Sequence, residues 1–587
     1  MSPIVNAVVD WTSGAPRSRQ FGDIYFSGAG GLAEKQAVFL RGCGLPEGWN
    51  GRRRFVVAEL GFGTGLSIAA LLNLWRRHGS DAGFLSLFSI ESEPLAVDEA
   101  RRALSAWPEI GPAAEALLDR WPGRARGFHR VDLPGWRASL DVAVMDVAEA
   151  LAAWNGAADA WFLDGFAPAR NPAMWSPAVM TAIAAHSAPG ARLASYSAAG
   201  PVRAALTEAG FAVTRQPGFG TKRHRLEAAW PGRAHPEPRR QSIAILGSGV
   251  GGSHLKRAFA EAGAETVLIG GPASPASEGP AAIIAPRLDA GLAGPAALFA
   301  QAFARAVATC PPEAVLERGA VQLALADHDP RRFAAIAGSD LFEPGCLRVL
   351  SANEASERLG EPAAVGLLMR MALTVDPALL LQAPDLQAEI AAVERAGEVW
   401  RLFEAEGALL LEVDHLVIAA GVGTARFAPE LPLQPVRGQA SIAPGISGPG
   451  TVLFGGYAAP GRGGLVFGAT HDRDDASFDV RDGDHRRNLD TLAKALPALA
   501  ARIDPGRLAA RVGVRATTPD FLPIAGLSDG AAFLTGLGSR GFTLAPLLAE
   551  HVAALTLGLP SPLPRSLAAL VEPGRFAARR RRRGLPG

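Results

Sequence analysis

Arg54-Phe-Val-Val-Ala-Glu-Leu60, followed at once by Gly61-Phe-Gly63-Thr-Gly65, heads the first domain of this chain. The largely apolar run, with no turn former inside it, predicts a short strand buried on both faces. The glycines predict a tight bend, because backbone that must approach a ligand closely leaves no room for a Cβ. Leu66 to Trp75 then reads as an apolar helix. Strand, bend and helix in immediate succession open an α/β domain. The spacing is E-x-G-x-G-x-G, with Glu59 leading Gly61, Gly63 and Gly65. It is not the G-x-G-x-x-G that cradles a dinucleotide pyrophosphate.

Working outward, Phe84-Leu-Ser-Leu-Phe-Ser-Ile90 predicts a second strand ending in Glu91. A carboxylate at such a strand end can accept both hydroxyls of a ribose through charge-assisted hydrogen bonds. Asp146 ends or follows a third strand and could reach an adenine amino group. Either acid alone reads equally well as a solvated loop carboxylate; their order after the glycine bend favours a nucleoside. The shorter glycine spacing is typical of class I methyltransferases, where the loop packs against the methionine moiety of S-adenosyl-L-methionine. A fourth strand, Ala160-Trp-Phe-Leu163, leads into Asp164-Gly-Phe-Ala-Pro168-Ala-Arg-Asn171-Pro172-Ala-Met-Trp175. An acid followed by proline and aromatics suits methylation of an amine, which must be neutral with its lone pair aimed at the methyl carbon. Asp164 is the candidate catalytic group, to orient that amine and receive its proton. The alternative is a helix N-cap in a proline-rich loop.

A second bend lies far downstream. Ser242-Ile-Ala-Ile-Leu246 precedes Gly247-Ser-Gly249-Val-Gly-Gly252 and a helix running through Ala262. This is the dinucleotide pattern in its proper context, with Gly247, Gly249 and Gly252 as candidate cofactor-binding residues and the helix N-terminus facing a pyrophosphate. The following strand, Glu265 to Ile269, runs into Gly270-Gly271, where an acidic residue would ordinarily take the ribose; Ser274 or a later side chain must substitute, or flavin affinity falls. Asp414 to Gly421, Arg511 to Pro523 and Gly536 to Thr543 resemble flavin-closing blocks of the glutathione-reductase-like and D-amino-acid-oxidase-like enzymes. They favour FAD over NAD and bring in Gly421 and Gly538 as cofactor-binding candidates. Arg515 and Arg540 are candidates for holding a substrate carboxylate; bracing of loops against backbone carbonyls is the alternative for each.

The 587 residues exceed what one hydrophobic core ordinarily serves, so two or more domains are expected. With 48% hydrophobic and 20% charged residues the composition is globular. A formal net charge of +1 means that any nucleic-acid contact must come from local clusters of Lys and Arg. Cys43, Cys310 and Cys346 form no CxxC pair and indicate neither a disulfide framework nor a metal site. No basic segment followed by an apolar one opens the sequence, and no later run suits a bilayer span, so a cytoplasmic location without membrane contact is expected. Trp230 to Gln241, rich in proline and charge, reads as a linker, and the five arginines Arg579 to Arg583 as a frayed solubilising tail or an RNA-binding arm.

Several blocks together resemble the MnmC family of bifunctional tRNA 5-methylaminomethyl-2-thiouridine biosynthesis proteins. In the first half they are Asp164 to Trp175, Asp23-Ile-Tyr-Phe-Ser27, Gly31-Leu-Ala-Glu34, Val38-Phe-Leu40, Trp49, Tyr196 to Arg203 and Gly218 to Arg223. The resemblance continues through Ala276-Ser277, Pro286-Arg287-Leu288, Arg437-Gly438-Gln439, Gly456-Tyr457 and Gly468-Ala-Thr470, although Glu278-Gly279-Pro280 replaces the family's Gly-Asn stretch. It implies an α/β fold in two parts. Residues 1–235 would form a class I methyltransferase Rossmann-like domain. Residues 236–587 would form an FAD-binding Rossmann-type domain with an inserted α+β substrate domain and a basic tail at 575–587. The FAD-binding parts fall at about 241–300, 410–425 and 510–560. The implied activity is oxidative removal of a carboxymethyl group from a tRNA wobble uridine, then methylation of the exposed amine, by a monomeric protein. Basic groups at Arg17, Arg19, Arg52 to Arg54, Lys222, Arg223 and Arg225 could meet phosphates, and Tyr25, Phe166 and Trp175 could stack on a base. A fused small-molecule N-methyltransferase and amino-acid oxidase, or a tRNA methyltransferase with a silent flavin half, are the rival readings.

Overall fold

The structure is a computed structural model and describes residues 7–582 except 13, 80–82, 221, 234–240, 290 and 292–293. Most of the expected linker therefore lies outside the described residues, as do the first six residues and Arg583. The chain divides into two compact units: residues 1–239 with 261–263 and 559–565, and residues 240–260, 264–558 and 566–587.

In the first unit an N-terminal hairpin, β1 (Val9–Thr12) and β2 (Ala15–Ser18), precedes an eight-stranded sheet. The sheet comprises β3 (Arg54–Leu60), β4 (Phe84–Glu91), β5 (Gly127–Leu133), β6 (Ala138–Val144), β7 (Ala158–Leu163), β8 (Ser187–Ser195), β9 (Ala212–Pro217) and β10 (His224–Ala229). Its order is β5-β6-β4-β3-β7-β8-β10-β9. Strands β6, β4, β3, β7 and β8 are parallel, and β10 inserts antiparallel to β8 and β9. The antiparallel edge strand β5 was not expected from sequence; its polar residues His129, Arg130 and Asp132 hide its alternation.

The period-2 geometry of a strand explains why β3 and β4 are apolar almost throughout. Phe55, Val57, Leu85 and Leu87 join the core on one face, while Val56, Ala58, Leu60, Phe88 and Ile90 join that on the other. Helix Leu66–His78 covers the first face, and Trp75 on it meets Trp49 edge-on with ring centroids 5.0 Å apart. On the second face Phe88 stacks on Trp154 at 4.4 Å. Chain order reverses direction at β3: it goes out to β4 on one side and returns to β7 on the other. That is the crevice where open α/β sheets place ligands, beyond the carboxyl ends of the strands.

In the second unit a six-stranded sheet runs Leu386–Gln387, Thr266–Gly270, Ile243–Leu246, His415–Ile418, Ala531–Thr535 and Ile524–Ser528 in spatial order. The first five are parallel and the last is antiparallel. Helix Val250–Glu261 follows the first of these strands in sequence. A three-stranded antiparallel sheet of Ile390–Ala396, Val399–Glu404 and Leu409–Val413 and a ten-stranded, mainly antiparallel sheet complete the unit, and in the latter Gln434–Pro444 pairs with Ala509–Thr517, Val436 opposite Arg515. The arginine run corrects the expectation of fraying: Arg575–Arg582 is a helix, and Arg575 and Arg579 both pair with Asp520.

Candidate active sites

The first site assembles at the ends of β3, β4 and β7. Gly61 takes φ +91°, and a Cβ there would lie 2.6 Å from the carbonyl oxygen of Asp164, so only glycine lets the two strand ends meet. The Asp164 backbone N–H donates to the Leu60 carbonyl at 3.1 Å, which fixes the aspartate beside the glycine bend. Glu59 and Ser89 are register partners on β3 and β4, and the Ser89 hydroxyl donates to Glu59 Oε2 at 2.7 Å. Glu59 Oε1 is buried without a hydrogen-bond partner. Burial, reinforced by the charge of Asp164, pushes the Glu59 carboxyl up to about 8. At the end of β4, Glu91 accepts from the backbone N–H groups of Gly63 and Glu93, at 2.9 and 3.0 Å; burial outweighs these bonds and lifts its carboxyl to about 7.

Asp146 is exposed and N-caps helix Val147–Ala153, accepting from Ala148 N at 2.9 Å. The structure thus gathers Glu59, Gly61, Gly63, Gly65, Glu91 and Asp164 and gives Asp146 a capping bond of its own. Two further side chains, Lys35 and Ser67, escaped sequence reasoning. The buried Lys35 pairs with Asp164 Oδ2, and the Ser67 hydroxyl donates to the same oxygen at 2.9 Å. Tyr196 donates to the Gly165 carbonyl at 2.6 Å. Nothing local links Lys35 to residue 164; only its neighbour Glu34 belonged to a recognisable block. Tyr25 lies over the bend, its ring 3.0 Å from where a Gly63 Cβ would sit, and meets Phe166 edge-on at 5.1 Å. Phe166 also stacks on Phe21 at 4.9 Å, whereas Trp175 is buried and donates to the Phe166 carbonyl.

This donor set fits S-adenosyl-L-methionine: an orphaned buried carboxylate oxygen at Glu59, a strand-end acid at Glu91, and a glycine bend with no side chain to obstruct it.

The second site lies where Ile243–Leu246 meets His415–Ile418. A Cβ on Gly247 would stand 2.5 Å from the Ala419 carbonyl oxygen, and one on Gly252 would stand 1.7 Å from that of Gly247. Both glycines are therefore required by close approach of strand and helix. Ser277 Oγ accepts from the Val250 N–H at 3.0 Å and would be 3.3 Å from a Cβ on Gly249. Helix N–H groups and a hydroxyl beside a vacant Cβ position suit the pyrophosphate of FAD. Where an acidic residue is missing, Gln387 reaches the strand end: its Oε1 would be 2.6 Å from a Cβ on Gly270, while Ser274 is exposed. Gly421 begins the turn after His415–Ile418, its carbonyl held by Thr535 Oγ1 at 3.0 Å, and Gly538 begins the turn into helix Gly541–Leu557.

The two candidate arginines differ. Arg540 Nη1 donates to the carbonyls of Ala285 and Pro286 at 3.0 and 3.1 Å, bracing that turn. Arg515 makes no hydrogen bond or ion pair among the described residues. Its guanidinium lies against Gly438, with Nη2 2.3 Å from where a Cβ would be, and couples electrostatically to the half-buried Tyr457. Burial lowers its pKa, as expected of a cation short of a counter-charge.

The two folds and their donor sets define a two-enzyme chain, an S-adenosyl-L-methionine-dependent methyltransferase joined to an FAD-dependent oxidoreductase. Models of those two families, described in these words, match residues 108–231 and 242–555. The tRNA 5-methylaminomethyl-2-thiouridine biosynthesis bifunctional protein MnmC of Caulobacter sp. (strain K31) is 54% identical over 98% of this chain and 98% of its own. That of Maricaulis maris (strain MCS10) is 42% identical over 99% and 98%. The chain belongs to the MnmC family. Among solved structures it is similar to glycine oxidase from Geobacillus kaustophilus, with TM-score 0.48 and 21% identity over 56% of this chain and 98% of that one.

Proposed function

We propose that this protein carries out two consecutive changes at the wobble uridine of tRNA. The second unit removes the carboxymethyl group of 5-carboxymethylaminomethyl-(2-thio)uridine, and the first methylates the exposed amine to give 5-methylaminomethyl-(2-thio)uridine. Identity of 54% and 42% to bifunctional relatives over nearly the whole chain, with a nucleotide-cofactor pocket built into each unit, is the observation that carries this reading.

FAD supplies a hydride acceptor and S-adenosyl-L-methionine a methyl group on a sulfonium. The protein's part is mainly positioning. Arg515, an uncommitted and half-buried cation, holds the substrate carboxylate, while Arg540 shapes the turn that includes Ala285 and Pro286. The CH2 between nitrogen and carboxylate loses a hydride and the nitrogen a proton, giving an imine; water then splits it into the primary amine and glyoxylate. In the first unit Asp164 accepts an N–H of that amine and aims its lone pair. The order follows from chemistry, since only the freed amine can be the next nucleophile.

Base stacking falls to Phe166 and Tyr25, because Trp175 is buried. Of the basic groups first considered for phosphate contact, Arg19, Arg52, Lys222 and Arg225 are paired with Asp10, Asp159, Glu34 and Glu227. Arg223 and the exposed Arg580 to Arg582 are better placed to meet phosphates. No helix among the described residues is long and apolar enough to cross a membrane. We place the protein in the cytoplasm as a monomer.

The test incubates the protein with tRNA from cells lacking this gene and identifies the wobble nucleoside by mass spectrometry. The methylaminomethyl form is expected with S-adenosyl-L-methionine and the aminomethyl form without it. A tRNA left unaltered, with free glycine derivatives turned over instead, overturns the reading in favour of a small-molecule enzyme.

A further inference from the structure

Of the four lysines in the chain only Lys35 is buried, at 6% exposure, and it lies opposite a carboxylate to which sequence gives it no link. Short helix Gly31–Lys35 delivers it, while its neighbour Glu34 turns instead to Lys222 and Ser27, at 2.7 and 3.0 Å. Lys35 and Ser67 both bind Oδ2 of Asp164, and no described residue bonds Oδ1. The carboxylate is thus engaged on one oxygen and uncommitted on the other.

We propose that Lys35 is a positioning residue for methyl transfer: together with Ser67 it anchors Oδ2 of Asp164, keeps that carboxylate ionised, and leaves Oδ1 to receive the acceptor amine. The inference rests on the reading that the first unit methylates an amine.

The physical need is clear from the surroundings. Burial raises the Asp164 carboxyl, and the charge of Glu34 opposes its ionisation; Glu59, pushed up by burial and by the charge of Asp164, and Tyr196 add no cation. Lys35 is the cation that bears directly on it. A protonated Asp164 would offer the amine an O–H and tie up its lone pair, whereas an ionised one accepts an N–H and leaves the pair free. As the nitrogen bonds to the methyl carbon, the carbon–sulfur bond breaks with its electrons passing to sulfur, and positive charge appears on nitrogen. The ionised Oδ1 stabilises that charge and takes the surplus proton, which then passes to water. Lys35 also disfavours a second ammonium nearby, so the incoming amine more readily sheds its own proton.

The test compares the parent with Lys35→Met and Lys35→Arg, using tRNA bearing the aminomethyl nucleoside. With Lys35→Met we expect kcat for methylation to fall about 100-fold, KM for tRNA to hold within about threefold, and the acid limb of the pH profile to move to higher pH. Lys35→Arg should recover part of kcat, and the oxidase step of the same protein should run at the parental rate, showing that the chain is folded. A kcat within about twofold of the parent, or an unmoved acid limb, overturns the proposal. A second measurement needs no tRNA. At pH 8 Lys35→Met should melt below the parent because it strands a buried carboxylate, and adding Asp164→Asn should return part of the loss. Strictly additive losses overturn the pairing. A parent that methylates no tRNA amine while this coupling holds would instead sink the functional reading.

Discussion

Glu59 shows how far a single side chain can be pushed by its place in a sheet. It is 1% exposed, one of its oxygens has no partner, and its carboxyl is raised to about 8. A raised acid binds a proton more tightly folded than unfolded. Its contribution to stability is therefore complete below the unfolded value of 4.5 and lost as pH climbs toward 8. Glu59→Gln mimics the protonated form and should abolish that loss. We expect equal melting temperatures for variant and parent at pH 5. At pH 8.5 the variant should melt higher, by roughly 2–4 °C for each kcal/mol recovered. A parent whose melting temperature is flat across this window would contradict the assignment. Sequence showed the position of Glu59 in the glycine signature; its protonation depends on Asp164, a residue 105 positions away, and on the packing that removes water.

At the scale of elements, both sites were legible because each is a strand, a bend and a helix contiguous in sequence. Gly252 carries the steric argument furthest: a Cβ there would be 1.7 Å from the Gly247 carbonyl oxygen. Gly252→Ala must push helix Val250–Glu261 away from its strand, and overpacking of this kind costs about 1–3 kcal/mol. We expect the purified variant to have lost most of its flavin absorbance while methylating aminomethyl tRNA at the parental rate. A fully yellow variant would show that this helix does not set the flavin pocket. Elements whose polarity hides their period were not legible: β5 was missed, and the closing helix Arg575–Arg582 was taken for a frayed end. What orders that helix is the pairing of Arg575 and Arg579 with Asp520, a partner more than 50 residues back in the chain.

For the whole molecule, two sites on one chain should be separable by product. Arg515→Leu removes the cation proposed for the carboxylate, and we expect the carboxymethylaminomethyl nucleoside to accumulate, with KM for oxidation raised about tenfold or more. Methylation of tRNA supplied in the aminomethyl form should be untouched. Asp164→Ala should do the reverse and stall the product at the aminomethyl stage. If either variant slowed both steps equally, the two chemistries would not be assigned to separate sites.

The amino-acid sequence alone determined the two cofactor bends, the acids Glu91 and Asp164 that follow the first of them, and the order of the two enzymes. Glycine spacing and apolar period are local, and a few consecutive residues carry their physics. Tertiary structure alone decided which polar groups meet: Lys35 with Asp164, Gln387 at the strand end lacking an acid, Arg515 uncommitted while Arg540 is bound to carbonyls, Asp146 capping a helix with one oxygen. These pairings join residues far apart in the chain. Their energies depend on burial and on what else competes for each donor and acceptor, and neither exists until the sheets have closed around them.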